Sequence, residues 1–282
     1  MTTATLNGLN FEYTEHGDGV PIVLAHGYCA SSAMWDQLTP VLAKRYKVIT
    51  YDARGHGLSS APPNKEDYTL STLVEDMAAL LDHLGVQETY LVGHSMGGAT
   101  VQAFAAQHPG RALATLICNI DGGHQPQDEE TTRQASALRE KSRVLVRGRG
   151  ICDYARAQLE SRAAPSFVCD NEHERQAYLE RYARQPLNGY FGVGEALPWR
   201  EAWLKDTVTS LTGPVAIIAG TLDVMHIGAQ ALHAKLPESR FVSIKGAPHD
   251  SVNARPAAFN QAVLEFLDSV ENGSQIKGRF AL

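Results

Sequence analysis

The chain has 282 residues and a formal net charge of −6, with 44% hydrophobic and 20% charged residues. Such values are ordinary for a globular protein, and a chain of this length buries about three quarters of its unfolded surface in one compact unit. The acidic balance argues against nucleic acid or an anionic membrane as a partner. The first residues show no signal-peptide pattern, and no apolar run approaches the roughly 20 residues that a membrane span needs.

The cysteines and histidines are spaced in ways that predict neither a disulfide framework nor a metal site. The cysteines lack close pairs and zinc-like spacing, which favours a reduced, cytoplasmic setting. No His-x-x-x-His pair suited to a metal is present, so no metal is predicted. The four cysteines are Cys29, Cys118, Cys152 and Cys169.

The amino-terminal third predicts strands that alternate with helices. Asn7-Gly8 between apolar positions is typical of a β-hairpin over residues 6–13. Apolar residues at helical spacing predict the helices, and Gly85 suits the C-cap of the second one. The predicted elements are strands at Pro21–Ala25 and Lys47–Tyr51 and helices at Met34–Arg45 and Leu70–Leu84.

A short strand followed at once by a helix carries the most informative motif. Thr89–Val92 is typical of a buried strand, residues 93–97 (Gly-His-Ser-Met-Gly) fit G-x-S-x-G, and Gly97–His108 has helical periodicity. Glycines permit so sharp a reversal because they lack a Cβ atom. The pattern predicts a nucleophile elbow that lifts the Ser95 hydroxyl clear of the backbone. The simpler alternative, a glycine-rich loop without a catalytic role, does not explain the strand and helix on either side.

The remaining core elements favour one mostly parallel sheet. Strands that alternate with helices pair in parallel through right-handed crossovers, with helices on both faces. The tail over 272–282 is expected to be frayed or peripheral. The elements are strands at Leu113–Ile120, Val215–Ala219 and Arg240–Ile244 and helices at Ala229–Leu236 and Pro256–Val270.

The segment 122–212 differs in amino-acid composition from the rest of the chain. It is rich in arginine and glutamate, which nearly balance, so it is not a nucleic-acid-binding face. Inserted between two core strands, it is expected to fold as a helical cap over their carboxyl ends. We therefore predict a core formed by 1–121 and 213–282. The cap helices are predicted at Glu129–Arg143, Tyr154–Arg162 and Glu172–Arg184.

A serine hydroxyl needs a base within hydrogen-bond reach, and the base needs a carboxylate to orient it. His249 follows the last strand and is the predicted base. Asp223 ends the preceding strand, which gives the chain order Ser, Asp, His. Asp121 ends the strand after the elbow and stays open as an alternative acid, although the usual order favours Asp223.

Two amide donors are expected to stabilise an oxyanion beside the serine. The Met96 N–H at the start of the helix is one, and the turn at Tyr28 should supply the other. Cys29 lies next to this turn but has no elbow around it, so we interpret it as a packing residue. The histidines near these motifs are interpreted as structural: His26, His56 and His94.

Several motifs together resemble the α/β-hydrolase superfamily over about residues 6–270. Within it the chain is most similar to small serine esterases, 3-oxoadipate enol-lactonases and haloperoxidase-like hydrolases that use no cofactor. The resemblance implies a Ser-Asp-His triad, no cofactor, and a helical cap between the sixth and seventh core strands. The motifs are His26-Gly27, the stretch 52–59, Gly93–Gly98, Gly220–Asp223 and Gly246–His249.

These observations predict an enzyme that cleaves a carboxylic ester or lactone through an acyl-enzyme on Ser95. C–C bond hydrolysis of a β-diketone, perhydrolysis, and ligand binding without turnover are the alternatives. The partner is then a small-molecule ester, lactone or ketone, and a homo-oligomer is compatible with the sequence. Ligand pockets are mostly apolar, and a glycine- and proline-broken part of the cap offers aromatic candidates for the pocket. They are Tyr190, Phe191 and Trp199.

Overall fold

The computed structural model describes residues 1–124, 129–274 and 276–282. Within these residues a nine-stranded sheet has the order β1-β2-β4-β3-β5-β6-β7-β8-β9. The strands are β1 (Thr2–Leu6), β2 (Leu9–His16), β3 (Val20–Ala25), β4 (Tyr46–Tyr51), β5 (Thr89–His94), β6 (Ala112–Cys118), β7 (Val215–Gly220), β8 (Arg240–Ile244) and β9 (Gly278–Ala281).

The sheet is antiparallel at one edge and parallel elsewhere. β1 and β2 form a hairpin, β2 runs antiparallel to β4, and the pairs from β4 to β9 are parallel. The hairpin turn places Asn7 and Gly8 at φ 51° and 77°, both in the left-handed region that a tight two-residue turn requires. The predicted α/β fold with a mostly parallel sheet is therefore confirmed.

Helices cover both faces of the sheet. Alternate strand residues face opposite sides: Val23 packs with α2 and α3 in one buried cluster, whereas Leu24 packs with α1 and α11 in another. Central parallel strands buried on both faces explain the nearly continuous apolar runs in the sequence. The helices are α1 (Thr39–Leu42), α2 (Leu70–His83), α3 (Met96–Gln107), α4 (Glu129–Arg149), α5 (Ile151–Glu160), α6 (Ser166–Cys169), α7 (Glu172–Ala183), α8 (Leu187–Ala196), α9 (His226–Lys235), α10 (Ser251–Ala254) and α11 (Pro256–Glu271).

The helix predicted over Met34–Arg45 is wrong in its extent. The structure has a 3-10 turn at Ser32–Trp35 and then the short α1. Pro40 explains the break, because a proline ring inside a helix clashes with the preceding turn and its nitrogen has no hydrogen to donate. It is accommodated in the first turn of α1, where an N–H has no intrahelical partner anyway.

The tail is peripheral as expected, but it is paired rather than frayed. β9 runs parallel to β8, and the backbones of Lys245 and Leu282 continue this pairing through a 2.7 Å hydrogen bond. Phe280 and Leu282 also pack against the buried cluster beneath α11. The stretch is too short to show a strand periodicity in the sequence. It becomes ordered by pairing with the open edge of β8.

Helices α4 to α8 lie between β6 and β7 in the chain, in the segment that is predicted to form the cap. Helices α5, α6 and α7 share a small buried cluster that includes Leu159, Val168 and Tyr178. α8 lies directly on the core, since a Cβ on Gly189 would stand 1.7 Å from the carbonyl oxygen of Gly55. The chain division at 121/122 and 212/213 stays a prediction. Among the described helices, none is both long and apolar enough to cross a membrane.

A buried ion pair braces the loop after β4. The Arg54 guanidinium binds both carboxylate oxygens of Asp76, at 2.5 and 2.6 Å, and a third bond reaches the Asp67 carbonyl. The two side chains are only 8% and 2% exposed. A charge left alone at this depth has no water to compensate it.

We expect Asp76→Ala to lower the free energy of unfolding by about 3–5 kcal/mol, because it strands the Arg54 charge. The double variant Arg54→Met, Asp76→Leu should lose less than Asp76→Ala alone, since no unpaired charge remains. Urea unfolding followed by circular dichroism measures both.

Arg156→Ala is the matched control, because its partner Asp153 forms an ion pair with side chains 60% and 47% exposed. Its loss should not exceed about 1 kcal/mol. Equal losses of unfolding free energy in Arg156→Ala and Asp76→Ala would contradict the conclusion that the buried Arg54–Asp76 pair braces the loop after β4.

Candidate active site

The elbow between β5 and α3 holds Ser95 in a strained conformation. Its φ of 52° and ψ of −114° lie outside the regions that most side chains adopt. The Ser95 N–H donates to the Cys118 carbonyl at 2.9 Å, which ties the elbow to β6. A Cβ on Gly93 would stand 2.2 Å from the Gly97 oxygen, and one on Gly97 would stand 2.1 Å from the Ala25 oxygen. The two motif glycines are therefore required by close backbone approach.

His249 reaches the elbow from the loop after β8. Its Nε2 atom lies 3.0 Å from Ser95 Oγ. The loop backbone is held beside the elbow, because His94 Nε2 donates a 2.7 Å hydrogen bond to the His249 carbonyl. The structure thus brings together the serine and histidine that the sequence singles out, and it gives His94 a supporting contact.

Asp223 lies on the other side of the His249 ring. Its carboxylate oxygens are 3.0 and 3.1 Å from His249 Nδ1, and its side chain is fully buried. A carboxylate only accepts, so Nδ1 carries the ring proton and Nε2 is left to accept one from Ser95. Asp121 instead accepts the Gly123 N–H at 2.8 Å within its own loop. The geometry places Asp223, and not Asp121, against the histidine.

The charges around His249 favour its protonated form. Burial lowers the pKa of this imidazole, but the hydrogen bond and negative charge of Asp223, together with the charge of Asp250, outweigh burial and raise the pKa above its usual 6.5. For Asp223, burial raises the pKa, but the hydrogen bond and charge of His249, together with hydrogen bonds from Met225 and Asn119, outweigh burial and lower the pKa. Both pKa shifts reflect the stabilisation of an imidazolium–carboxylate pair by this environment.

His94 stays neutral beside this pair. Burial and, after it, the positive charge of His249, whose ring lies 5.0 Å away, together lower the pKa of His94 to about 4. A neutral His94 donates its one ring proton to the His249 carbonyl and adds no repulsion to the imidazolium.

The turn after β3 (residues 26–30, here called the β3 turn) packs against the elbow. A Cβ on Gly27 would stand 2.8 Å from His94 Nδ1 and 3.4 Å from Ser95 Cβ. His26 fixes the turn by donating from Nδ1 to the Gly27 carbonyl at 2.8 Å and by accepting the Ala53 N–H at Nε2. The Tyr28 backbone, predicted as an oxyanion donor, lies in this turn.

The second predicted donor, Met96, is the first residue of α3. Its N–H belongs to the N-terminal turn of a helix, where the macrodipole favours negative charge. Cys29 follows in the β3 turn with φ 55° and is buried. Burial raises the pKa of its thiol to about 12, so the thiol is protonated and unsuited to nucleophilic attack.

Aromatic cap residues meet the β3 turn. Tyr190 stacks on Tyr28 with ring centroids 6.0 Å apart, and the Tyr28 hydroxyl donates to the Tyr190 carbonyl at 2.6 Å. Phe191 packs edge-on against Tyr190 at 5.2 Å. Trp199 lies in a 3-10 turn, and its side chain falls outside the described part of the structure. The cap thus contacts the candidate site through Tyr190.

Sequence analysis missed Asn119. This residue directly follows β6, and its side-chain amide donates to Asp223 Oδ2 at 2.8 Å. A polar residue at the carboxyl end of an apolar strand was the available signal. Among the described residues, no group of three His, Cys, Asp or Glu side chains is arranged to hold a metal ion.

Comparison with known proteins identifies the family and the fold. The alpha/beta hydrolase fold family matches residues 20–252, and the chain belongs to it. The chain is 29% identical over 263 residues to 3-oxoadipate enol-lactonase 2 of Acinetobacter baylyi, covering 93% of each. A solved enol-lactonase from Burkholderia xenovorans superposes with a TM-score of 0.80 at 25% identity, over 95% of this chain and all (100%) of the other. A bromoperoxidase from Bacillus anthracis superposes with a TM-score of 0.81 at 26% identity, over 95% and 99%.

These likenesses confirm the predicted resemblance and the predicted fold. They show a hydrolase family, and the roles of single residues rest on the geometry described above.

The raised pKa of His249 yields a test that needs no substrate. In an NMR titration the His249 ring should titrate above pH 6.5. Asp223→Asn removes the charge that raises the pKa, so its titration midpoint should fall below that of the unmodified protein. Asp121→Asn, the same change at the other candidate acid, should leave the midpoint where it was. A shift in Asp121→Asn with none in Asp223→Asn would reverse the assignment.

Proposed function

We propose that the protein is a serine hydrolase that cleaves a carboxylic ester or lactone through an acyl-enzyme on Ser95. One observation carries the proposal: Ser95 Oγ, the His249 ring and Asp223 form a continuous hydrogen-bonded line with 3.0 Å steps. A serine hydroxyl becomes nucleophilic when a neutral imidazole takes its proton, and a buried carboxylate stabilises the resulting imidazolium.

In the acylation step, His249 Nε2 accepts the Ser95 proton while Oγ forms a bond to the substrate carbonyl carbon. The carbonyl oxygen becomes an oxyanion, and the Met96 and Tyr28 amides are the proposed donors to it. The imidazolium then gives its proton to the leaving oxygen as the ester C–O bond breaks. In a lactone that oxygen stays attached to the acyl group.

Deacylation repeats the chemistry with water. His249 takes a proton from water, the hydroxide oxygen bonds to the acyl carbon, and Ser95 leaves with the proton from the imidazolium. Asp223 remains ionised throughout and orients the ring. The His249 side chain is 43% exposed, so water can approach its ring.

An ester or lactone substrate is supported by the enol-lactonases that the chain resembles. The proposed substrate-facing wall is aromatic and consists of Tyr190 and Phe191 from α8, with Trp199 as a further candidate. Such a wall suits an apolar acyl or alcohol group, since ligand sites are mostly apolar with a few polar groups.

Perhydrolysis is the second candidate, and the likeness to a bromoperoxidase supports it. Hydrogen peroxide would replace water in deacylation: one peroxide oxygen bonds to the acyl carbon, the bond to Ser95 Oγ breaks, and a peracid leaves. The same acyl-enzyme serves both reactions, so the choice depends on the second nucleophile.

We expect Ser95→Ala to lower ester or lactone turnover by about 10⁴-fold or more, because the nucleophile is removed. A fluorophosphonate probe should label Ser95, as located by peptide mass spectrometry, and labelling should abolish turnover. The control Cys29→Ala removes a thiol that burial keeps protonated, and it should keep its labelling and turnover. Full activity in Ser95→Ala would overturn the proposal.

A substrate screen then separates the alternatives. Nitrophenyl esters of increasing acyl length, lactones and β-diketones are compared, each with and without hydrogen peroxide. Ester or lactone turnover that Ser95→Ala lacks supports the first proposal, and peracid formation with peroxide supports the second. Rapid diketone cleavage beside negligible ester turnover would assign C–C hydrolysis instead, and tight binding with no turnover would make the protein a ligand-binding one.

Asp223→Asn should reduce kcat by about 10⁴-fold with little change in KM, because the amide favours the wrong histidine tautomer and does not stabilise the imidazolium. Asp121→Asn is the matched variant and should keep kcat within about twofold, as a surface change without a role would. Steady-state kinetics on the best substrate of the screen measures both. A large loss in Asp121→Asn alone would identify a different acid.

A further inference from the structure

A buried amide lies behind Asp223, on the side away from His249. Asn119 is completely buried, and its Nδ2 atom donates to Asp223 Oδ2 at 2.8 Å. Its Oδ1 atom accepts a short hydrogen bond from the Ser251 hydroxyl. Both ends of the amide are therefore used.

The backbone fixes where this amide lies. Asn119 adopts φ 53°, a left-handed conformation that asparagine tolerates better than most residues. Its N–H donates to the Ile218 carbonyl at 2.8 Å, which holds it between the ends of β6 and β7. Ser251 begins α10, two residues beyond His249. Asn119 thus joins the loop that carries Asp223 to the segment that follows His249.

Within the described part of the chain, each carboxylate oxygen of Asp223 accepts a hydrogen bond from a group other than His249. Oδ1 accepts the Met225 N–H at 3.0 Å, and Oδ2 accepts the Asn119 amide. Two donors on separate oxygens stop the carboxylate from rotating about its Cβ–Cγ bond. Removal of Asn119 takes away the hydrogen bond that holds Oδ2 from the side opposite the histidine, whose orientation the carboxylate should determine.

The Ser251 hydroxyl determines which end of the amide faces Asp223. An amide turned the other way would place its oxygen against the carboxylate, where two acceptors repel. By donating to Oδ1, Ser251 keeps the NH₂ group directed at Asp223.

We propose that Asn119 is a positioning residue that holds the Asp223 carboxylate against Nδ1 of the His249 ring, with Ser251 orienting the amide. The kinetic consequences of this inference rest on the proposed function. The effect of Asn119 on the geometry of the carboxylate does not depend on that function. The chemistry occurs at Ser95 and His249, and Asn119 acts through Asp223.

Asn119→Gly deletes the side chain and keeps the backbone conformation, because glycine adopts φ near +53° without strain. We expect kcat per active Ser95, counted with the fluorophosphonate probe, to fall by roughly 10- to 100-fold, the scale of a small misplacement of a reacting group. KM should stay within about twofold.

The same variant should lower the titration midpoint of His249 in the NMR experiment, because a rotated carboxylate makes a weaker hydrogen bond to Nδ1. The acidic limb of the pH–rate profile should move to lower pH with it. Asp250 and the neutral His94, which also face the ring, are retained, so the shift reports on Asp223.

Two further variants complete the test. Ser251→Ala keeps Asn119 but loses the bond that orients it, so both effects should recur in the same direction and be smaller. Asn7→Gly makes the same substitution at a φ of 51° in the β1–β2 turn, and its kcat and His249 midpoint should equal those of the unmodified protein.

Unchanged kcat per labelled Ser95 and an unchanged His249 midpoint in Asn119→Gly would overturn the inference. A lower yield of labelled protein with normal kcat per site would also overturn it, since that result marks a purely structural amide. Failure of the proposed function looks different: Ser95→Ala would stay active, while the NMR midpoint would still report on the carboxylate.

Discussion

The hydrogen bond between Ser95 Oγ and His249 Nε2 is the contact on which the candidate site depends. It joins residues 154 positions apart in the chain at a distance of 3.0 Å. The serine reaches this position only because the elbow keeps Ser95 at a positive φ, and that strain persists because Gly93 and Gly97 allow the backbones to touch. The histidine reaches it because His94 holds the loop after β8.

Behind this contact lies a buried negative charge that the fold must compensate. A carboxylate without water is costly unless several donors satisfy it. Met225, Asn119 and His249 supply them to Asp223, and each comes from a different segment of the chain. The same hydrogen bonds compensate the charge of the carboxylate and orient it. For this reason one side chain, Asn119, influences the geometry of the hydrogen-bonded line from Asp223 through His249 to Ser95.

Much of the fold was accessible from the sequence because its signals are local. The strand at Arg240–Ile244 was predicted with its observed bounds, and the helix predicted at Pro256–Val270 extends by a single residue to Glu271. Alternating and helical spacings reflect the faces that each element buries, whatever its partners are. The failures also have physical reasons: Pro40 divides one predicted helix, and the tail is ordered by tertiary contacts with the edge of β8 and the cluster beneath α11.

For the site, the sequence by itself determined the elbow, since G-x-S-x-G between a strand and a helix specifies a turn of that kind. It also singled out His249 as the candidate base. It left Asp121 and Asp223 both open, because each follows a core strand and spacing along the chain does not measure distance in space. Only the tertiary structure decided between them, by placing Asp223 on Nδ1 of His249 and leaving Asp121 bonded within its own loop. Asn119 became visible in the same way, because a hydrogen bond between the ends of neighbouring strands exists only once the sheet has aligned them.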